Sequence, residues 1–270
     1  MHEIEGVVVA TTDSTTGPPA RPELLRSEDV QTGSWGESGA AGHTSDRIYA
    51  LDDEVCQIAF ELAPGGFFAQ EGDGFDVYER DTVWRVLGGV FVARNPETGE
   101  THRLRAGDAL VFGGDVWHEG FNYGAAPARV LELTAPPPTV GHRPVGRKEF
   151  PLSGGDAAAP TARVVREAEL RWRLEGSDSP LLVGEILTTP ALMAGEVHLA
   201  PGRRSDLRVL ARTGTLYVLE GLVRVERADG SWFDARPADG VYLPAGAPHR
   251  LANPMTTPAR ALFQLAGGGR

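Results

Sequence analysis

The sequence predicts an all-β protein built from two tandem copies of one unit, and three observations lead to this prediction. Short segments rich in Val, Leu, Ile, Phe and Trp alternate with clusters of Gly, Pro, Asp and Asn, as strands and turns do. The 34 Gly and 20 Pro recur as spaced punctuation and not as one low-complexity tract. A set of landmark residues also appears twice along the chain.

The predicted strands fall into two groups separated by a stretch without strand texture. The first group covers 55–63, 82–93, 101–105, 109–112 and 129–134. The second group covers 181–187, 195–200, 215–226, 231–235, 240–243 and 260–265. Helical periodicity is weak and is confined to 163–173.

Two segments of low information set the predicted boundaries. Residues 11–23 have no apolar periodicity, and 136–160 contains Pro-Pro-Pro, Gly-Gly and Ala-Ala-Ala. We therefore predict a flexible leader over 1–24, a first barrel over 25–136 with the active site, a linker over 137–160 and a second, structural barrel over 161–270.

The internal repeat fixes the number of copies at two. Three landmarks of the first half recur 131 residues later: His118 as His249, Asn122 as Asn253, and Pro127-Ala128-Arg129 as Pro258-Ala259-Arg260. The Val-Leu-Glu-Leu that follows in the first half corresponds to Leu-Phe-Gln-Leu in the second. Upstream landmarks recur at 132 and 137 residues, a drift that loop insertions would produce.

The repeated residues resemble the motifs of the cupin superfamily. The second cupin motif has a close match in the second copy, which reads Pro244-Ala245-Gly246-Ala247-Pro248-His249 and then Asn253. The first copy keeps the spacing from Gly113 to His118 and Asn122, with the Pro and the later Gly replaced. The resemblance implies a bicupin, in which two tandem double-stranded β-helix (jelly-roll) barrels follow one another.

The sequence departs from the family where a metal would bind. Metal-binding cupins supply His-x-His, a Glu four residues later and the second-motif His. Counting back from the conserved turn places Asp76, Tyr78 and Thr82 at those positions in the first copy, and Arg208, Leu210 and Gly214 in the second. Neither copy has the three imidazoles that bind iron, nickel, manganese or zinc, so no cofactor is favoured.

A second register leaves a divalent metal open. Counting forward from Pro64-Gly65 places Glu71 and Asp73 at the histidine positions, with Glu79 as the next glutamate. Together with His118 these carboxylates would suit manganese or iron(II).

Strand parity suggests which residues share the first barrel with His118. Residues two apart on a strand point to the same face, so a row from Asp76 through Tyr78 and Arg80 to Trp84 is expected to face inward. We expect His118 to act as the acid or base, Asp76 as its partner, Tyr78 as a proton donor, and Arg80 or Arg85 as a clamp for an enolate or carboxylate.

Aromatic residues point to the substrate class. Of the 20 Phe, Trp and Tyr, 11 lie between Phe60 and Tyr123. An apolar cavity with a few polar groups is the usual form of a small-molecule site. The substrate-binding residues expected in the first barrel are Phe67, Phe75, Trp84, Arg85, Phe112, Trp117 and Phe121.

These residues predict a small-molecule enzyme of bacterial specialised metabolism, acting by acid–base isomerase, cyclase or dehydratase (lyase-type) chemistry on a largely apolar or aromatic substrate. The Arg-dominated, Ala- and Gly-rich composition is typical of a high-GC bacterium and fits natural product biosynthesis. One alternative is a metal-dependent cupin oxygenase or lyase that uses His118 with carboxylates. Another is a non-catalytic ligand-binding or sensor bicupin.

Composition excludes several other classes. A net charge of -11 argues against nucleic acid or an anionic membrane as partner, and Cys56 alone cannot build a disulfide framework. No apolar run approaches the roughly 18 residues of a membrane span, and the first five residues are acidic where a secretory signal would be basic. We therefore expect a cytoplasmic monomer or homodimer.

Overall fold

The computed structural model describes residues 21–34, 44–68, 74–138, 140–144 and 160–267. These residues form 23 strands and one short 3₁₀ helix, so the predicted all-β class is confirmed. In the part of the chain thus described, no helix has the length and apolar character that crossing a membrane would require.

The strands of the first half are β1 (Glu23–Leu25), β2 (Gln31–Gly33), β3 (Ser45–Leu51), β4 (Cys56–Leu62), β5 (Phe67–Phe68), β6 (Gly74–Tyr78), β7 (Thr82–Gly88), β8 (Val90–Arg94), β9 (Thr101–Arg105), β10 (Ala109–Phe112), β11 (Glu119–Phe121), β12 (Ala128–Thr134) and β13 (Val140–Pro144). Those of the second half are β14 (Ala162–Val165), β15 (Arg171–Glu175), β16 (Leu181–Thr188), β17 (Leu192–Leu199), β18 (Gly214–Glu220), β19 (Val223–Arg227), β20 (Trp232–Ala235), β21 (Gly240–Leu243), β22 (His249–Ala252) and β23 (Ala259–Ala266). The 3₁₀ helix covers Glu167–Glu169.

The chain divides into two units, each containing one barrel. Of the described residues, unit 1 contains those within 32–47 and 58–168, and unit 2 contains 21–31, 48–57 and 169–267. The first barrel has a seven-stranded sheet, β14-β10-β7-β12-β4-β3-β2, and a four-stranded sheet, β5-β11-β8-β9. The second has a seven-stranded sheet, β1-β21-β18-β23-β17-β16-β15, and a three-stranded sheet, β20-β19-β22.

Each barrel encloses its own hydrophobic core. The core of the first barrel is rich in aromatic rings, and its members include Phe60, Phe68, Trp84, Phe91 and Phe112. The core of the second barrel consists mainly of aliphatic residues, with Phe263 as its one buried aromatic member. The larger side chains of the first core surround the site described below.

The sequence repeat corresponds to equivalent turns in the two barrels. The side-chain amide of Asn122 donates to the carbonyls of Leu62 and Ala126, at 3.0 and 2.9 Å. Asn253 donates in the same way to the carbonyls of Leu199 and Thr257, at 3.1 and 2.7 Å. The two tandem barrels predicted from these landmarks are therefore confirmed.

Two strands lie in units that the sequence did not predict. β1 pairs with β21 of unit 2, with Glu23 opposite Tyr242, although part of β1 falls within the predicted leader. β14 pairs with β10 of unit 1, with Val165 opposite Ala109, although it falls within the predicted second barrel. An arginine follows each strand and reaches an aspartate of its sheet: Arg26 to Asp239 at 3.1 Å, and Arg166 to Asp108 at 2.6 Å.

Two local predictions were wrong. The weakly helical 163–173 consists of β14, the 3₁₀ turn and the start of β15, because pairing with β10 and β16 overrides local propensity. The predicted linker contains β13, which pairs with β6 in a two-stranded sheet.

Candidate functional site

His118 lies in an aromatic environment inside the first barrel. It follows β10, in a loop fixed by the Asp115 amide, which donates to the Tyr78 carbonyl at 2.7 Å. The imidazole centroid is 4.7 Å from the ring of Trp84, 4.9 Å from that of Phe112 and 5.0 Å from that of Tyr78. We call these four residues the aromatic cluster.

The aromatic cluster favours the neutral form of the imidazole. Burial lowers the pKa of His118 to about 4, and a backbone contact with Val116 opposes this shift only in part. Nδ1 lies 3.3 Å from the Val116 carbonyl, which assigns the ring proton to Nδ1 and the lone pair to Nε2. The ring is only partly buried, so Nε2 is a candidate base near neutral pH.

A buried carboxyl group, Glu132, adjoins the same cluster. Glu132 lies on β12 directly opposite Trp84 on β7, and it is 7% exposed. Its Oε2 accepts a hydrogen bond from the indole Nε1 of Trp84 at 2.7 Å. Burial raises the pKa of Glu132 to about 7, the Trp84 hydrogen bond opposes the rise, and the negative charge of Asp46 adds to it.

The predicted inward row is divided between two strands. β6 ends at Tyr78, β7 begins at Thr82, and residues 79–81 form a bend between them. Tyr78 nevertheless contacts His118 because the Asp115 amide binds its carbonyl. Arg80 lies in the bend, where its guanidinium donates to the Glu79 carbonyl at 3.1 Å, and its Nε is buried without a hydrogen bond.

The structure does not bring Arg85 to the cluster. Arg85 follows Trp84 on β7, so its side chain leaves the opposite face of the sheet. There it is 2% exposed and donates to the Gly107 carbonyl. The clamp role predicted for Arg85 thus has no support from its placement.

Phe67 and Phe121 also face away from His118. Gly120, the neighbour of Phe121, points inward, because a Cβ there would lie 2.3 Å from the Phe68 ring. Phe121 therefore points outward, where it stacks on Phe67 at 6.0 Å and lies 5.3 Å from the Arg94 guanidinium. Of the other predicted aromatic residues, Phe112 is in the cluster and Trp117 is buried next to His118 in the chain.

The proposed metal ligands are only partly described. Glu71 and Asp73 lie outside the described residues, as do the side chains of Phe75 and Asp76. Glu79 is exposed at the bend after β6. Among the described residues, no three His, Cys, Asp or Glu side chains form a group that could bind a metal ion. The described part of the cluster, one imidazole among aromatic rings, therefore does not fit a metal site.

The second barrel lacks the equivalent chemistry in its described residues. His249 is 1% exposed, and its Nδ1 lies 2.9 Å from the Ala247 carbonyl. Its backbone exchanges two hydrogen bonds with Arg208, and burial lowers the pKa of its ring. The place of Glu132 is taken by Phe263, 131 residues later, which belongs to the apolar core.

Sequence reasoning missed Glu132, although a signal was present. The repeat aligns Val-Leu-Glu-Leu with Leu-Phe-Gln-Leu, so a glutamate replaces a core phenylalanine between copies. The difference was not interpreted because the segment was assigned only as a strand.

Comparison with known proteins supports the fold assignment. Residues 195–264 match the family described as "Cupin domain". No sequence among the curated proteins matches the chain.

Three solved structures resemble this one in fold. The protein Ylba from E. coli is 14% identical, with a TM-score of 0.66 and coverage of 96% of both chains. AerE from Microcystis aeruginosa is 12% identical, with a TM-score of 0.58 and coverage of 91% of this chain and 97% of its own. An oxalate decarboxylase variant from Bacillus subtilis is 13% identical, with a TM-score of 0.62 and coverage of 94% and 79%. The chain thus contains a cupin domain at residues 195–264 and has the all-β fold of two tandem jelly-roll barrels.

Proposed function

We propose that the first barrel is the active site of a small-molecule enzyme that uses acid–base chemistry of the isomerase, cyclase or dehydratase type. The observation that carries this proposal is the neutral, partly accessible imidazole of His118 inside the aromatic cluster. A base whose lone pair is available at neutral pH, next to apolar surface, suits removal of a proton from a carbon acid.

The aromatic cluster indicates what kind of substrate would bind. Trp84 and Phe112 are buried, and the Tyr78 ring borders the imidazole. A largely apolar or aromatic substrate would pack against these rings with one C–H bond close to His118 Nε2. Arg80, whose Nε has no hydrogen bond, lies in the bend after Tyr78 and is our candidate for binding an anionic group of the substrate.

The comparisons support an enzyme only in general terms. The structures of similar fold include an oxalate decarboxylase, which is named for a lyase activity, and another description of that protein names Mn(II) centres. A metal-dependent lyase is therefore the second candidate. A role in bacterial specialised metabolism is part of our proposal and rests on composition.

Hydrogen–deuterium exchange into candidate substrates tests the proposal. Purified protein is incubated in D₂O with a panel of aromatic and alicyclic keto acids, enones and unsaturated acids, and incorporation of deuterium at carbon is followed by NMR. We expect at least one compound to exchange, and we expect His118→Gln to slow that exchange about 100-fold or more.

His102→Gln is the matched control. His102 is also a partly buried histidine of the first barrel, but its Nε2 pairs with Glu100 at 2.6 Å, away from the cluster. It should exchange substrate at the wild-type rate. Equal rates for His118→Gln and wild type would contradict the proposal, and binding without exchange would favour the sensor alternative. Stoichiometric metal that is lost in His118→Gln would favour the metal-dependent lyase.

A further inference from the structure

We propose that Glu132 is the general acid of the first barrel: it carries a proton at neutral pH and donates it to an oxygen atom of the substrate. This inference rests on the proposed function and adds a second catalytic group to it. The observation behind it is a carboxyl group enclosed in an aromatic core, in hydrogen-bond contact with a ring that also packs on His118.

Glu132 points into the barrel because of its position on β12. Ala128 and Val130 alternate with Arg129 and Leu131, and the even-numbered pair belongs to the core. Glu132 continues that inward face, and its register partner is Trp84, another core residue. The carboxyl group is therefore placed among the core side chains.

No cation compensates this carboxyl group among the described residues. The neighbouring strand β7 presents Thr82, Trp84 and Val86 on the inner face, and β4 contributes Phe60 to the core. The charged residue that acts on Glu132 is Asp46 on β3, which is also acidic. A carboxylate buried without a cation is costly, so the neutral acid is favoured, and the pKa is raised to about 7.

The second barrel shows that the fold does not require a carboxyl group here. Phe263 occupies the equivalent place, opposite Leu216 on β18, and both residues belong to the second apolar core. A buried acid that the fold does not need, beside a candidate base, is typical of a functional site.

The two groups have complementary protonation states. Between about pH 4 and about pH 7, His118 is neutral and Glu132 is protonated. His118 Nε2 would take a proton from a substrate carbon as the C–H bond breaks, while Glu132 gives its proton to a carbonyl oxygen, which forms an enol, an imidazolium and a carboxylate. Return of the imidazolium proton to a different carbon, and of the enol proton to Glu132, completes an isomerisation with no other reactant.

Infrared spectroscopy of the substrate-free protein locates the proton directly. The C=O stretch of a protonated carboxyl group should be present in the wild-type protein at pH 6 and disappear as the pH passes about 7. Glu132→Gln should lack this band. Glu119→Gln is the control, because Glu119 is an equally buried carboxylate of the same barrel that pairs with Arg94 and should remain ionised. Absence of the band, or its persistence in Glu132→Gln, would overturn the proposal whether or not a substrate is known.

The pH profile of deuterium exchange tests proton donation. Exchange by the wild type should fall above about pH 7, and Glu132→Gln should lower kcat about 100-fold with little change in KM. Trp84→Phe removes a hydrogen bond that lowers the pKa of Glu132, so the alkaline limb should move to higher pH. Asp46→Asn removes a negative charge that raises it, so the limb should move to lower pH.

The outcomes separate this inference from the proposed function. Wild-type exchange rates in Glu132→Gln, or limbs that shift in the same direction in both variants, would refute Glu132 as the acid while His118 remained the base. If no compound exchanges with the wild-type protein, the proposed function fails and the catalytic role of Glu132 fails with it, even where the infrared band shows the proton.

Discussion

At the scale of single residues, the first barrel shifts two titratable groups in opposite directions. Burial lowers the pKa of His118 to about 4 and raises that of Glu132 to about 7, since it disfavours the charged form of each. A histidine that is the weaker base and a glutamate that is the stronger one reverse the usual order in solution. This reversal leaves a free base and a proton donor together at near-neutral pH.

The reversal predicts opposite effects on stability. Glu132 has a folded-state pKa above its unfolded value, so it loses stability as the pH rises from about 4.5 to about 7. His118 has a folded-state pKa below its unfolded value, so it gains stability as the pH rises from about 4 to about 6.5. Each effect is on the order of 3 kcal/mol at 1.36 kcal/mol per pKa unit.

Single substitutions should reveal these two slopes. Relative to the wild type, Glu132→Gln should become less stable as the pH falls from about 7 to about 4.5, because the contribution of Glu132 is gone. His118→Gln should become more stable over the same range. Urea unfolding across that range measures both, and equal slopes in the two variants would contradict the assigned pKa directions.

The sequence located His118 but not its environment. The motif spacing identified the histidine, and strand parity placed Trp84 in the barrel. Parity could not show that the row breaks at 79–81, because a bend that follows a strand depends on packing of the 113–117 loop against it. The pKa of Glu132 depends on burial and on Asp46, which lies 86 residues away in the chain.

At the scale of elements, β11 can approach the core because Gly120 has no side chain. A Cβ at Gly120 would lie 2.3 Å from a Phe68 ring atom and 2.7 Å from a Phe91 ring atom. We expect Gly120→Ala to cost about 1–3 kcal/mol of stability, because both rings belong to the packed core. Thermal unfolding measures this.

Gly113→Ala serves as the control for that substitution. A Cβ at Gly113 would have its nearest neighbour at 3.8 Å, which is ordinary contact. Its stability should stay within about 0.5 kcal/mol of the wild type. If Gly120→Ala were equally mild, β11 would not pack on the core as described.

The edge strand β14 is fixed by one carboxylate, Glu100. Its side chain accepts hydrogen bonds from the Thr161 amide and hydroxyl, both at 2.6 Å, and from the Ala162 amide at 3.3 Å. Partial burial pushes the pKa of Glu100 upward, but these bonds and that of His102 outweigh it, so the pKa lies below its usual value. Its contribution to stability is therefore present above about pH 4.5 and is lost as the pH falls further.

Glu100→Gln should loosen the start of β14. We expect hydrogen exchange of the Thr161 and Ala162 amides to accelerate about 10-fold, since a charged acceptor is lost. Glu97→Gln is the control, because Glu97 is exposed one turn away and only its backbone amide is bonded, to Asn95. Unchanged exchange in Glu100→Gln would show that pairing with β10 suffices to fix the strand.

At the scale of the whole molecule, the repeat predicted two barrels, but local texture could not assign the edge strands. The residues of β1 and β14 alternate ordinarily, and nothing in three to four residues reveals which sheet they join. Their assignment depends on pairing over long separations, of which the register Glu23 to Tyr242 is the longest we describe.

The assignment of β1 predicts unequal fates for two fragments. Residues 169–270 lack β1, and they also lack Gln57, whose amide donates to the buried Thr215 at 2.9 Å. Residues 32–168 retain β14 together with its partner β10. We expect only 32–168 to unfold cooperatively and to remain in solution, because an open sheet edge promotes association. Cooperative unfolding of isolated 169–270 would contradict this expectation.

The pairing of β1 with β21 also determines the order in which the protein can fold during synthesis. β1 is made first, yet its place beside β21 exists only after Leu243 has been added. At about 5–20 residues per second, β1 would wait roughly 10–45 s without its partner. The first barrel, which needs nothing beyond β14 to finish its large sheet, can close earlier. The barrel with the aromatic cluster would thus form on the ribosome while the earliest strand of the chain is still unpaired.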